Sequence, residues 1–166
     1  MNPVFKQYAC GFLIALFLSG CATHTPKKMY KGEIKSAEDV ATILVLEDWT
    51  NWFRPVTVRI TKLDGELSGI ADVLHVDPGS HDLELYVEHD GMRPFGPPVI
   101  KVSVEAGKVY QLNYQLITHH KSLFRGDTGN AVYSLRYIGS HKNYEAFLAK
   151  NPEYKAGMRL FIHSLD

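Results

Sequence analysis

His75, Asp77 and Asp82 come nearest, in this chain, to a metal-binding set. Residues two apart in an extended strand share a face, so His75 and Asp77 point the same way. A turn at Pro78-Gly79 returns the chain with Asp82 opposite His75. One imidazole and two carboxylates can ligate zinc or another divalent ion. The same side chains also make ordinary polar cross-strand pairs on a wet sheet face, and that is the reading adopted. His119-His120 is a poorer pair of ligands, because adjacent strand residues face opposite ways. His81 falls on the inward side after the turn and is read as a cap on the core. No G-x-S-x-G elbow, phosphate loop, H-E-x-x-H pair or C-x-x-C pair occurs. The acids are scattered along outward strand positions, with no pair marked as general acid and base. The expectation is a protein without catalytic activity or cofactor.

Aromatic residues offer a different chemistry. Trp49, Trp52 and Phe53 fall between two apolar segments and are followed by Arg54-Pro55; Phe95 sits in Arg93-Pro94-Phe95-Gly96-Pro97-Pro98. Indole faces stack on sugars or on a protein partner, and Trp, Tyr and Arg are frequent interface anchors. Two readings stand: the tryptophans fold inward as a lid, or they form an exposed contact surface together with the Phe95 loop. Charge narrows the partners. Without residues 1–20 the chain carries 17 basic and 18 acidic residues, a balance unlike the basic surface that nucleic acid requires.

The elements that must position these residues follow a period of two, the mark of strands with one buried face. Val40 to Leu46 is nearly all apolar and is expected as a central strand. Val56, Val58 and Ile60 alternate with Thr57, Arg59 and Thr61 up to a turn at Asp64-Gly65. Leu74 and Val76, the turn at Pro78-Gly79, and Leu83, Leu85 and Val87 predict a hairpin. Ile100, Val102 and Val104, the turn at Ala106-Gly107, and Tyr110, Leu112, Tyr114 and Leu116 predict a second. A further strand is expected over Ala131 to Ile138. The period changes only at Tyr144, Phe147 and Leu148, where a short helix is expected after Asn143 as N-cap, stopped by Pro152. This stripe is read as core packing, with a docking helix as the alternative. Met158 to Ile162 suits either a closing strand or a segment packed on the core. The fold class is mainly β: an antiparallel β-sandwich of about seven strands with one short C-terminal helix.

The amino terminus sets the address. Lys6 is the only charge before an apolar run over Tyr8 to Leu18, too short to span a bilayer. Leu18-Ser19-Gly20-Cys21 then resembles the lipobox of a bacterial lipoprotein signal. The resemblance implies a signal peptide over residues 1–20, diacylglycerol on the Cys21 thiol, and a tether over residues 21–35 before the domain of residues 36–166. Cys10 would leave with the signal, so neither cysteine remains for a disulfide. Roughly 145 residues remain, enough for one ordinary hydrophobic core. Ala22 after the cysteine, by analogy with Gram-negative lipoproteins, implies the outer membrane, and the tether would average roughly 20 Å.

Beyond the signal, the chain resembles small bacterial lipoproteins with a PEGA-like or immunoglobulin-like sandwich over about residues 18–135. The similarity rests on Val40-Ala41-Thr42-Ile43, Ile60 through Gly65, and Val76-Asp77-Pro78-Gly79-Ser80-His81-Asp82-Leu83. It continues in Val104-Glu105-Ala106-Gly107-Lys108-Val109-Tyr110 and Asp127-Thr128-Gly129. It implies a fold and carries no catalytic motif. The expected function is a periplasm-facing binding or assembly module, lipid-anchored in the outer membrane, with an envelope protein as partner; glycan or peptidoglycan is the alternative ligand.

Overall fold

The structure is a computed structural model that describes residues 26–45, 47–48, 56–69, 71–89, 96–120, 128–155, 162 and 164–166. Among the described residues ten strands form: β1 Lys27–Met29, β2 Ala41–Leu44, β3 Glu47–Asp48, β4 Val56–Leu63, β5 Glu66–Leu67, β6 Val73–Val76, β7 Gly79–His89, β8 Val99–Val104, β9 Lys108–His120 and β10 Thr128–Ser140. Helices α1 (His141–Lys150) and α2 (Pro152–Lys155) follow. One sheet runs β1-β6-β2-β9-β10, here sheet A; the other, sheet B, runs β3-β4-β7-β8 with β5 beside β4. The protein is a β-sandwich with a C-terminal helix, and sheet B is antiparallel throughout. Sheet A is mixed, with β2 parallel to β9 and β1 parallel to β6. Lys27–Met29, within the segment expected as a tether, is thus an edge strand of sheet A.

Period-two burial builds the core between the sheets. Ile43, Leu74 and Leu112 of sheet A meet Ile60, Leu83 and Leu85 of sheet B. In β4 the alternation slips at Thr61, where a bulge separates the pairs Ile60↔Leu85 and Lys62↔Glu84. Ile60 and Leu63 therefore both reach the core although they lie three apart, and Lys62 stays outside. Asp64 and Gly65 both have positive φ, as the tight β4–β5 turn requires.

Neither expected hairpin at the Pro78 and Ala106 turns forms. β6 pairs with β1 and β2 in sheet A, whereas β7 pairs with β4 and β8 in sheet B. Likewise β8 belongs to sheet B and β9 to sheet A. Both turns are corners that carry the chain from one sheet to the other. Inward residues alternate identically on either side of a hairpin or a corner, so local pattern does not separate them. The second corner is pinned by backbone bonds: the Gly107 N–H donates to the Val40 carbonyl, and the Gly107 carbonyl accepts from the His141 N–H, each at 2.8 Å.

The outer face of sheet A is covered as well. Leu44, Val109 and Ile138 pack against Tyr144 of α1 and Ile162, with Phe147, Leu148 and Leu165 around them. The helix is capped by Ser140, whose hydroxyl accepts the Asn143 N–H at 3.2 Å, so Ser140 and not Asn143 is the N-cap. Of the segment Met158 to Ile162, residues 158–161 lie outside the described residues; Ile162 itself packs on the core, its N–H donating to the Gln111 side chain at 3.2 Å, and the Leu165 N–H donates to the Ile138 carbonyl at 2.7 Å. Gly139 makes this approach possible. A Cβ there would lie 2.6 Å from the Leu165 Cβ, and its φ is +150°.

Leu112→Ala should cost about 3 kcal/mol in urea unfolding, the scale of a buried leucine truncation. Val132→Ala, half-exposed on β10, should stay within about 0.5 kcal/mol. Gly139→Ala should raise amide exchange at Leu165 more than at Leu112; equal effects would contradict the close approach.

Candidate functional site

Trp49, Trp52, Phe53, Arg54 and Phe95 lie outside the described residues, but the strand ends that carry them do not. Asp48 pairs with Val56, and Val56 pairs with His89. The segment 49–55 therefore leaves and re-enters sheet B beside the strand from which segment 90–95 departs. The β9–β10 connection, after His120, leaves from the same end, because β9 runs parallel to β2 toward β3. Strand pairing thus sets Asp48, Val56 and His89, the residues that flank the two aromatic segments, side by side.

Below these strand ends, the outer face of sheet B holds a groove of about 400 Å³ lined by Thr61, Lys62, Leu67, Glu84, Tyr86 and the Gly96–Pro98 segment, among others. Register explains it. Leu67, Lys62, Glu84 and Val99 are consecutive partners across β5, β4, β7 and β8, so they form one row. The two apolar members are exposed, Leu67 by 73% and Val99 by 58%. Between them, Lys62 Nζ is 2.9 Å from Glu84 Oε2, and the Thr61 hydroxyl lies 3.1 Å from both the Glu84 carbonyl and Oε1. The lysine contact, with help from Thr61, holds the Glu84 carboxyl below its ordinary range against a smaller opposing desolvation. At the far wall, the Pro98 carbonyl accepts the Leu85 N–H at 2.8 Å and keeps the proline segment beside β7. The result is an apolar trough with a charge-compensated floor, suited to holding an apolar side chain. Sequence reasoning missed Leu67 and Val99. Their signal was large apolar residues at outward positions of otherwise polar strand faces.

The proposed ligands His75, Asp77 and Asp82 are not brought together, because the Pro78 turn is a corner. His75 lies in sheet A, paired with Thr42 and Lys28; Asp82 lies in sheet B, paired with Lys101. Asp77 forms an ion pair with Lys35. Among the described residues, no three His, Cys, Asp or Glu side chains are grouped to hold a metal ion. His81 fastens the corner: its Nδ1 is 2.6 Å from Asp64 Oδ2 and its Nε2 is 2.7 Å from the Asp77 carbonyl. Desolvation works against the Asp64 carboxylate, but the bonds from His81 and the Asp82 N–H outweigh it and hold the group below its ordinary range.

A cluster not foreseen joins His75 to the start of α1. The His75 and His141 rings meet edge to face with centroids 6.1 Å apart, and His141 Nδ1 is 3.5 Å from the Thr42 hydroxyl. His141 Nε2 lies 3.4 Å from Glu145 Oε1. Tyr144 stands 6.3 Å from the His141 ring, its phenol pushed up to about 12 by burial, then by Glu145. Sixty-six positions separate the two histidines, so only the docking of α1 on sheet A reveals the pair. Burial and the neighbouring His141 push the His75 imidazole below its ordinary range, outweighing Glu145.

No family model, curated protein or solved structure matches the chain.

The depressed His75 value has a sign. Folding favours neutral imidazole, so its contribution is complete above the unfolded value of about 6.5 and declines as pH falls below it. The urea midpoint should therefore drop between pH 7.5 and pH 5, and His75→Asn should flatten that slope. An unchanged slope would remove His75 as the cause. In NMR titration, Lys62→Met should return the Glu84 carboxyl toward its ordinary range.

Proposed function

We propose that this chain is a lipid-anchored envelope protein whose sandwich serves as a non-catalytic binding or assembly module facing the periplasm. Cys21 carries the lipid, as the lipobox resemblance implies, and the outer membrane holds it, as Ala22 implies. The contact surface is the Trp49–Arg54 segment with Phe95 beside it, and the groove at Leu67 and Pro97-Pro98 continues it down sheet B. One observation carries this reading: the register Asp48↔Val56↔His89, which roots both aromatic segments on adjacent strands. A protein partner is preferred because exposed apolar side chains flanking a compensated ion pair suit a protein surface. Tryptophan and phenylalanine at the rim would equally stack on sugar rings, so murein is the second ligand.

The anchor is tested by labelling cells with radioactive palmitate. Label should enter the parent chain and vanish from Cys21→Ser; label retained by the variant, or never acquired by the parent, rejects the anchor. The surface is tested with a photo-crosslinking residue at Trp52 in intact cells. A single stoichiometric protein adduct is expected, lost on replacing Phe95 and Arg54 together by alanine. Retention on purified murein without any protein adduct would transfer the assignment to glycan. Neither adduct nor retention would end it.

A further inference from the structure

The described chain begins with a segment whose charge is opposite to that of the remainder. Residues 26–35 contain Lys27, Lys28, Lys31 and Lys35 against the single acid Glu33. The rest of the chain after residue 20 carries 13 basic and 17 acidic side chains. A domain close to neutral overall is therefore strongly polarised, positive at its amino-terminal edge.

This segment is held by contacts within itself and to the sandwich. The Lys28 and Lys35 ammonium groups stand 4.9 and 5.3 Å from the centre of the Tyr30 ring, and the Lys35 N–H donates to the Tyr30 hydroxyl at 3.1 Å. Lys28 also donates to the Gly32 carbonyl, and Lys35 pairs with Asp77. Lys27 donates to the Leu67 carbonyl at 3.2 Å, which ties β1 to β5 of the other sheet. An ammonium has three donors, so each of these lysines keeps capacity for an outside acceptor. Lys28 and Lys31 are exposed, and among them stands Ile34, 90% exposed. Basic side chains around an apolar one are the composition of a surface that rests in a headgroup layer.

Chain length supplies the second argument. Lys27 follows Cys21 by six residues, which reach at most about 20 Å when fully extended. We propose that the exposed surface formed by Lys28, Lys31, Ile34 and Lys35 lies on anionic phospholipid headgroups and sets the orientation of the sandwich on the bilayer. This rests on the lipid at Cys21. Lysine ammoniums meet headgroup phosphates, and Ile34 enters the interface. β10, at the opposite edge of sheet A, is then turned away from the membrane. Attraction of this kind falls off within a Debye length, so the short connection to Cys21 is what makes it effective.

The test uses the acylated protein with a fluorophore on the thiol of Ile34→Cys, since acylation blocks Cys21. Val132→Cys on β10 serves as the control. Each is reconstituted into vesicles of phosphatidylcholine, with or without phosphatidylglycerol. Emission from position 34 should shift to the blue and be quenched by nitroxide lipids when phosphatidylglycerol is present. The shift should disappear in 1 M salt and in the Lys28→Gln/Lys31→Gln variant, while position 132 does not respond. A position 34 label indifferent to phosphatidylglycerol, or indistinguishable from position 132, overturns the proposal. Intact mass on the same sample separates the two failures. Diacylglycerol present on Cys21 with an indifferent label rejects only the orienting face; no acyl mass rejects the anchor and this face together.

Discussion

Everything in this fold is arranged around a central strand that has no wet face. Ala41 and Ile43 point into the space between the sheets, while Thr42 and Leu44 point the other way, and all four are buried. A strand of this kind needs two covers, and full burial of one large aliphatic side chain contributes about 1.5–3 kcal/mol. Sheet B supplies the first cover, and α1 with Ile162 and Leu165 supplies the second. Thr42 adds a condition, because a buried hydroxyl without a partner is costly. Its neighbour is His141, the first residue of α1. The start of the helix is therefore fixed by a polar contact as well as by the apolar stripe behind it.

With β2 in the middle of sheet A, the chain must change sheets repeatedly, and the corners decide what is displayed where. The Pro78 and Ala106 corners close one end, held by His81 and by the Gly107 backbone. The opposite end is left with the connections that carry Trp49, Trp52, Phe53, Arg54 and Phe95. Sheet A adds an asymmetry between its edges: β1, basic and near the proposed anchor, stands at one side, and β10 at the other. The proposed binding end, the proposed anchoring edge and the far edge are thus separated by the order of the strands.

Much of this was legible from residues alone. Alternation in Thr57–Ile60 and Leu83–Val87 is local chemistry, set by a side chain's need to face either water or core. So is the change of period at Tyr144, Phe147 and Leu148. Asp64-Gly65 announces its turn because few residues tolerate positive φ. The continuous apolar run after Val40 correctly marks a central strand. The cap lies at Ser140, three residues before Asn143: serine and asparagine cap helices about equally well, and only the register of β10 into α1 separates the two.

What the sequence by itself determined is which residues are strand, turn or helix, and which face of each is apolar, since those depend on neighbours two to four positions away. Only the tertiary structure decided the partners. A turn such as Pro78-Gly79 has the same local conformational demands whether it joins two strands of one sheet or passes between two. The choice therefore falls to burial energies summed over the whole core, between residues far apart in the chain. That choice separated His75 from Asp82, brought His75 to His141, and aligned Leu67, Lys62, Glu84 and Val99 in one row.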